Sequence, residues 1–418
     1  MTARTTETVI KIVTEESLID EELPIDEELE RRFNLINKIG EEVIGSESLR
    51  HLLANKKDIY AYDGFEPSGR MHIAQGLMRV HNVNKFVDCG IKFKFWVADW
   101  FALMNLKLGG DIKKIQKAGR EMINVWKACG MKVDAIDSNG KPMIEFIWSS
   151  HEITARSEEY WKLVLDIATK FNLNRIKKCT QIMGKKEEKD QKETIEDLKN
   201  KVAQLEATIK SKKSGVKFDE VEAQFNEINS KFDEITEANI QELACSQVFY
   251  PVMQCADIFF LKISITSLGM DQKKINTLAL EYCDKIKQKN KPIIISHHMV
   301  MGLDGTKMSK SFPDNAIFMD DNATEVKRKI LKAFCEPNNI EKNPLLDWAK
   351  HIIFPINGKI VTPENLKFNE PEMTFNIFEE LEQAFFEGKV QPKGLKDGMI
   401  KHINDLLKPV QEKMREQK

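Results

Sequence analysis

Asp58-Ile59-Tyr60-Ala61-Tyr62-Asp63-Gly64-Phe65-Glu66-Pro67-Ser68-Gly69-Arg70-Met71-His72-Ile73-Ala74-Gln75-Gly76 runs from an apolar, strand-like segment through a Gly/Pro turn to a histidine. The helical pattern Leu77, Val80, His81, Val83, Asn84 and Val87 follows. A strand, a turn and a helix N-terminus in that order leave backbone N–H groups pointing at one spot, which makes an anion site. Far downstream, Lys307-Met308-Ser309-Lys310-Ser311 puts two lysines and two hydroxyls on one short loop. That set is suited to holding a leaving pyrophosphate.

Outward from these segments, strand-like runs at Ile59–Tyr62, Lys92–Ala98, Met143–Trp148 and Pro292–Ser296 alternate with helical runs at Gly76–Asp88, Ile112–Cys129, Ser157–Phe171 and Gln272–Lys287. The alternation predicts an α/β fold, a Rossmann-like doubly wound parallel sheet with ligand at the carboxyl ends of its strands. Residues 1–24 read as an acidic extension, and the spacing of Leu29, Phe33, Ile36, Ile39, Val43 and Ile44 predicts helix from Ile25 to about Lys56. The α/β pattern spans 25–184 and 244–317. Between them, over 185–243, Ile195, Leu198, Val202, Leu205 and Ile209, then Phe218, Val221, Phe225, Ile228, Phe232 and Ile235, are spaced by threes and fours about Ser214-Gly215. This predicts an inserted antiparallel helical hairpin, either a module for a partner or RNA or a self-packed protrusion. From 318 to 418 the pattern is helical and charged.

With 63 basic and 65 acidic residues, bulk charge cannot drive nucleic-acid binding, so any RNA contact must come from local clusters such as Arg175, Lys177 and Lys178. Taken alone, the plainer reading of each cluster is a solvated helix face. The seven cysteines are scattered with no zinc-ligand spacing, which predicts reduced thiols and no zinc. No run has the length of a membrane span or a signal core, so the expectation is a soluble, cytoplasmic chain without membrane contact.

The two nucleotide signatures, in this order, resemble those of class I aminoacyl-tRNA synthetases. The segments Tyr62–Gly69, Trp96-Val97-Ala98-Asp99-Trp100, Phe249–Asp257, Leu268-Gly269-Met270-Asp271-Gln272 and Ala333-Phe334-Cys335-Glu336-Pro337 are similar to the eukaryotic and archaeal type of tyrosyl-tRNA synthetase, over roughly residues 30–184 and 244–415. The resemblance implies a tyrosine–tRNA ligase with L-tyrosine, ATP and tRNA(Tyr) as partners, Mg²⁺ carried on the nucleotide phosphates, a homodimer, and an anticodon-binding role for 318–418. It also implies that Gly69, His72, Gly76, Lys307, Ser309, Lys310 and Ser311 hold ATP, with His72, Lys307 and Lys310 catalytic. Tyr62 and Asp257 fall on the tyrosine phenol, and Tyr250, Gln254 and Gln272 around its ammonium and carboxylate. Tyr250, Gln254 and Asp257 are spaced i, i+4 and i+7 on an otherwise apolar helix, so one face presents all three to one ligand. Adenylate formation needs no protein acid or base, since a carboxylate attacks the α-phosphate and pyrophosphate leaves. Positioning and charge stabilisation suffice, which agrees with the absence of a Ser/His/Asp triad.

The chain departs from the family pattern at Gln75, where a second histidine is usual, and at Ser264 and Ser267, where an Asp and a Gln are usual. At the expected anticodon-reading position it has Gln391-Pro392-Lys393-Gly394 in place of a His-Pro pair and an Asp, leaving Gln391 as the side chain able to reach a base edge. Rival readings are a tryptophanyl-tRNA synthetase, a metabolic nucleotidyltransferase, and a non-catalytic paralogue that binds RNA or scaffolds an assembly. Asp257 facing Tyr62 favours a phenol over an indole, the helical C-terminal region sets the chain apart from nucleotidyltransferases, and intact His72, Lys307, Lys310 and Gln272 argue for catalysis.

Overall fold

The computed structural model describes residues 27–180, 228, 244–308, 312–363 and 371–416. The expected acidic extension, the expected hairpin apart from Ile228, and Ser309, Lys310 and Ser311 lie outside the described residues. Six strands make one sheet: β1 (Glu42–Ile44), β2 (Tyr60–Phe65), β3 (Lys92–Val97), β4 (Ile144–Trp148), β5 (Ile265–Gly269) and β6 (Ile293–His297), in the order β1-β6-β5-β2-β3-β4. Five are parallel, as the alternation predicts.

The sixth corrects two expectations. Residues 25–56 are not one helix but α1 (Glu27–Asn37), the edge strand β1 and α2 (Ser46–Asn55), and β1 runs antiparallel to β6 with Glu42 opposite Ser296. The helical spacing of Val43 and Ile44 was fortuitous. Gly40 breaks the run, both residues are β-branched, and Gly45 at φ 87° turns the chain into α2. Strand β5, with Thr266 and Ser267 among its five fully buried residues, carried no alternation to reveal it.

Helices α3 (Arg79–Asp88), α4 (Asp99–Met104), α5 (Ile112–Ala128), α6 (Ser149–Ala155), α7 (Ser157–Lys170), α8 (Leu173–Thr180), α9 (Cys245–Phe260) and α10 (Lys273–Lys285) belong to the crossovers. Asp111 caps α5 by accepting from the N–H groups of Lys113 and Lys114. Alternate strand residues feed two cores: Ala61, Phe93, Phe95 and Val97 on one face, Tyr62, Trp96 and Leu268 on the other. Chain direction across the sheet reverses between β2 and β5, whose carboxyl ends therefore open a crevice.

Beyond the sheet come α11 (Ala323–Lys332), a helical run from Pro344 to Asn357, α12 (Phe378–Phe386) and α13 (Pro392–Glu416). A two-stranded ribbon, β7 (Ile360–Thr362) with β8 (Met373–Phe375), was not expected in this helical stretch. Trp348, Phe385, Leu395 and Leu407 are buried in the same core as the first sheet face. Each such side chain contributes about 1.5–3 kcal/mol on burial, so the C-terminal helices brace the sheet.

On α3, burial and the neighbouring Lys85 hold His81 down to about 4. A histidine lowered in the fold favours the native state fully above its unfolded pKa, near 6.5, and loses that contribution as pH falls toward 4. The melting temperature is therefore expected to fall between pH 7 and 5, with a shallower slope in His81→Gln. An identical slope by scanning calorimetry would contradict this.

Candidate active site

A cavity of about 300 Å³ opens at the carboxyl ends of β2 and β5 and is lined by Tyr62, His72, Tyr250, Gln254, Asp257, Gln272 and Lys307. The fold thus brings together both signature segments and all five residues expected to contact an amino acid. Gly69 and Gly76 are not among the lining residues. Gly69 sits in the exposed turn, and a Cβ on Gly76 would lie 2.4 Å from the Met319 sulfur, so its bareness serves packing of the helix start.

One end of the cavity is closed by buried side chains. Asp257, on α9, is fully buried; its Oδ1 accepts from the Tyr160 hydroxyl at 2.8 Å, and Oδ2 makes no hydrogen bond of normal geometry among the described residues, although the Trp96 indole lies close enough to favour the charged carboxylate. Burial pushes the Asp257 carboxyl well above the usual carboxylate range, against the pull of Tyr160 and Trp96. Burial, reinforced by Asp257, likewise raises the Tyr62 phenol. An unpaired buried oxygen beside a second hydroxyl is a receptor for a group that can both donate and accept. The Tyr62 ring depends on Gly64, where a Cβ would stand 2.8 Å from the Tyr62 hydroxyl.

Toward the mouth, the Tyr250 hydroxyl donates to Glu66 Oε1 at 2.6 Å, Asn105 Nδ2 donates to the same oxygen at 2.6 Å, and Gln254 Nε2 approaches Gln272 Oε1 at 3.4 Å. This wall combines a carboxylate with amides, suited to an ammonium and a carboxylate on one ligand. At the nucleotide side, the Gln75 N–H donates to His72 Nδ1 at 3.4 Å, which leaves the proton of a neutral ring on Nε2. Lys307 is largely exposed, with Nζ 3.3 Å from Asp271 Oδ2. Between the two ends, Asp63 pairs with Arg79 at 3.0 Å, and burial lifts Asp63 to about 6 despite Arg79.

Sequence reading missed Glu66, Tyr160, Asp63 and Arg79 as site residues. Glu66 and Asp63 lie inside the segment that decided the fold, and a charged residue in an apolar strand or turn was the available signal. Nothing in the spacing ties Tyr160 to Asp257, 97 residues away.

The RNA candidates are differently placed. The Arg175 guanidinium is engaged by Glu281 at 2.7 Å and by the Lys274 carbonyl, so it braces α8 on α10. Lys177 is half-buried and Lys178 exposed on the same helix. Gln391 precedes α13, with Nε2 donating to the Gly388 carbonyl at 2.9 Å.

Among the described residues, one group offers metal-type donors, His298, Asp347 and His351, with ligand atoms within 4.8 Å. The two imidazoles stack 3.9 Å apart with planes 17° from parallel, so no ion can lie in both ring planes at bonding distance. Instead His298 hydrogen-bonds to Asp347 and Glu41, and His351 stacks on it with Nε2 3.8 Å from Asp347. Burial opposes charge on His298, and Asp347 at 2.7 Å and Glu41 at 3.0 Å outweigh it, raising the imidazole.

The family model described as tRNA synthetases class I (W and Y) matches residues 54–204 and 201–408. The chain is 41% identical over 401 residues to cytoplasmic tyrosine–tRNA ligase 1 of Arabidopsis thaliana, covering 96% of this chain and 88% of that one. It covers 46% of tyrosine–tRNA ligase 2 of the same plant, at 40% identity. Tyrosyl-tRNA synthetase of Leishmania major in complex with tyrosinol superposes with a TM-score of 0.72 at 40% identity, over 92% of this chain and 62% of that one. The Archaeoglobus fulgidus enzyme complexed with L-tyrosine gives 0.71 at 28% identity, over 92% and 99%.

Proposed function

Because the chain belongs to the class I tRNA synthetases of the tryptophan and tyrosine group, we propose that it is a tyrosine–tRNA ligase, activating L-tyrosine with ATP and passing it to tRNA(Tyr). The observation that carries the choice of tyrosine is the buried end of the cavity, where Asp257 Oδ2 makes no hydrogen bond of normal geometry among the described residues and Tyr62 lies beside it. A tyrosine phenol supplies a hydroxyl there, and phenylalanine leaves the acid unpaired. Tryptophan offers only a donor N–H on a wider ring.

In this reading Glu66, Tyr250, Gln254 and Gln272 face the substrate ammonium and carboxylate, fixing the carboxylate for attack. MgATP enters as substrate, its magnesium riding on the phosphates. His72 Nε2–H and Lys307, joined by Lys310 and the Ser309 and Ser311 hydroxyls, meet the β- and γ-phosphates. The carboxylate oxygen bonds to the α-phosphorus as the bond to the pyrophosphate oxygen breaks, and these lysine cations and hydrogen-bond donors stabilise the charge that the leaving group gathers. Tyrosine then moves to the tRNA 3′ end, with AMP leaving. Gly69 and Gly76 act through the shape of the turn. Among the RNA candidates, Lys177 and Lys178 are the better placed, and Gln391 stands at the head of α13.

We further propose a homodimer. Leu103 in α4, Leu106 just after it, Trp161 and Leu165 on α7, and Phe249 on α9 are exposed, and the Ser246 hydroxyl on the Met104 carbonyl joins α4 to α9. A monomer has little reason to leave so much apolar surface on neighbouring elements. Light scattering on Leu165→Glu is expected to report a monomer and on the unaltered chain twice its mass; a monomeric unaltered chain contradicts the dimer. For the function itself, transfer of labelled tyrosine to total tRNA tests the reading. Charging with tyrosine supports it, and adenylate formation without charging of any tRNA overturns the second half of the reaction.

A further inference from the structure

The two nucleotide signatures lie more than two hundred residues apart in sequence, yet one short strap, residues 315–321, touches both. On the loop side, the Leu303 N–H donates to the Asn315 carbonyl at 3.0 Å, and Asn315 Nδ2 reaches the Lys307 carbonyl at 3.3 Å. On the turn side, the Ile73 N–H donates to the Ile317 carbonyl and the Met319 N–H to the Met71 carbonyl, both at 2.9 Å, so that His72 sits opposite Phe318. Ala316, Ile317, Phe318 and Met319 are all buried. The separation between His72 and Lys307 is therefore set by the strap.

Charge holds the strap from below. Buried Asp321 accepts from Lys329 Nζ at 2.5 Å, from the Phe318 N–H at 3.0 Å and from Arg70 at 2.7 Å, and the Arg70 guanidinium lies over the Phe318 ring at 4.2 Å. Two further contacts come from far away in sequence. Gln411 Nε2 donates to the Asp321 carbonyl at 2.9 Å and to the Met319 carbonyl at 3.2 Å. Gln411 is carried on α13, which is anchored by buried Ile403, Leu407 and Val410 and packs against α11 and α5.

We propose that Gln411 is a positioning residue for adenylate formation: from the C-terminal helix it fixes the strap that sets His72 and Lys307 at the spacing of the leaving pyrophosphate. It touches neither substrate. An amide that places both hydrogens on two strap carbonyls does more for register than for stability, since geometry at the phosphates decides the rate. Nothing in this requires tRNA, so the effect belongs to the first half-reaction. The inference rests on the adenylate-forming activity proposed above.

The test is Gln411→Leu, which keeps much of the bulk and removes both donors, assayed by tyrosine-dependent ATP–pyrophosphate exchange without tRNA and normalised to active sites. The expected result is a fall in kcat of roughly tenfold with the KM for tyrosine unchanged within twofold. A lower melting temperature with kcat unchanged would show a purely structural role and overturn the proposal. Should that variant fail to fold, Arg70→Gln releases the strap from its exposed side and is held to the same split between kcat and KM. Exchange absent from the unaltered chain would instead overturn the activity on which the inference rests.

Discussion

Replacing Lys307 and Lys310 together by Ala is expected to slow tyrosine-dependent ATP–pyrophosphate exchange by at least about 10³-fold while leaving the dissociation constant for tyrosine within about twofold. One preorganised donor aimed at developing charge is worth roughly 10²–10³ in rate. Here two cations meet a leaving group whose charge grows only as the bond breaks, so their contribution appears in kcat rather than in ground-state binding. The geometry places Lys307 on the cavity wall, its side chain largely exposed and its Nζ held, among the described residues, by a 3.3 Å contact to Asp271, so it can turn to a phosphate without breaking a buried pair. Single-turnover kinetics and equilibrium dialysis separate the two quantities. Equal losses in rate and tyrosine affinity would make the loop a structural element.

The second large effect concerns choice of substrate. Asp257→Ala is expected to lower the ratio of tyrosine to phenylalanine activation by about 10–10²-fold, because the partner for a buried hydroxyl disappears and its desolvation goes uncompensated. The Tyr160 hydroxyl also loses its 2.8 Å acceptor, so the variant is expected to lose about 1–3 kcal/mol of stability. The ratio of kcat/KM values cancels that loss, since both substrates meet the same folded fraction. Asp257→Asn, which keeps an acceptor and a donor, is expected to retain more of the ratio. An unchanged ratio in both variants would mean that the phenol lies elsewhere.

The sheet was legible because β2 to α3 and the runs after it carry their own punctuation: β-branched and aromatic strands, Gly/Pro turns and helical spacing in alternation. Local signals of this kind fail where burial is complete or an element is short. Strand β5 is buried on both faces and built partly from Ser and Thr, and β1 is three residues within a spacing that also fits a helix. The same contrast runs through the site. Tyr250, Gln254 and Asp257 share one helix face, and their convergence could be read from i, i+4 and i+7. Tyr160 on Asp257, Glu66 on Tyr250 and Gln411 on the strap are products of tertiary packing, and no sequence period connects their members.

On the function proposed above, the buried end of the cavity around Asp257 and Tyr62 selects tyrosine for activation. ATP–pyrophosphate exchange measured separately with each of the twenty amino acids tests it most directly. Exchange with tyrosine alone, or with phenylalanine far behind, is the predicted result. Exchange driven by tryptophan in preference to tyrosine, or by no amino acid at all, would contradict it.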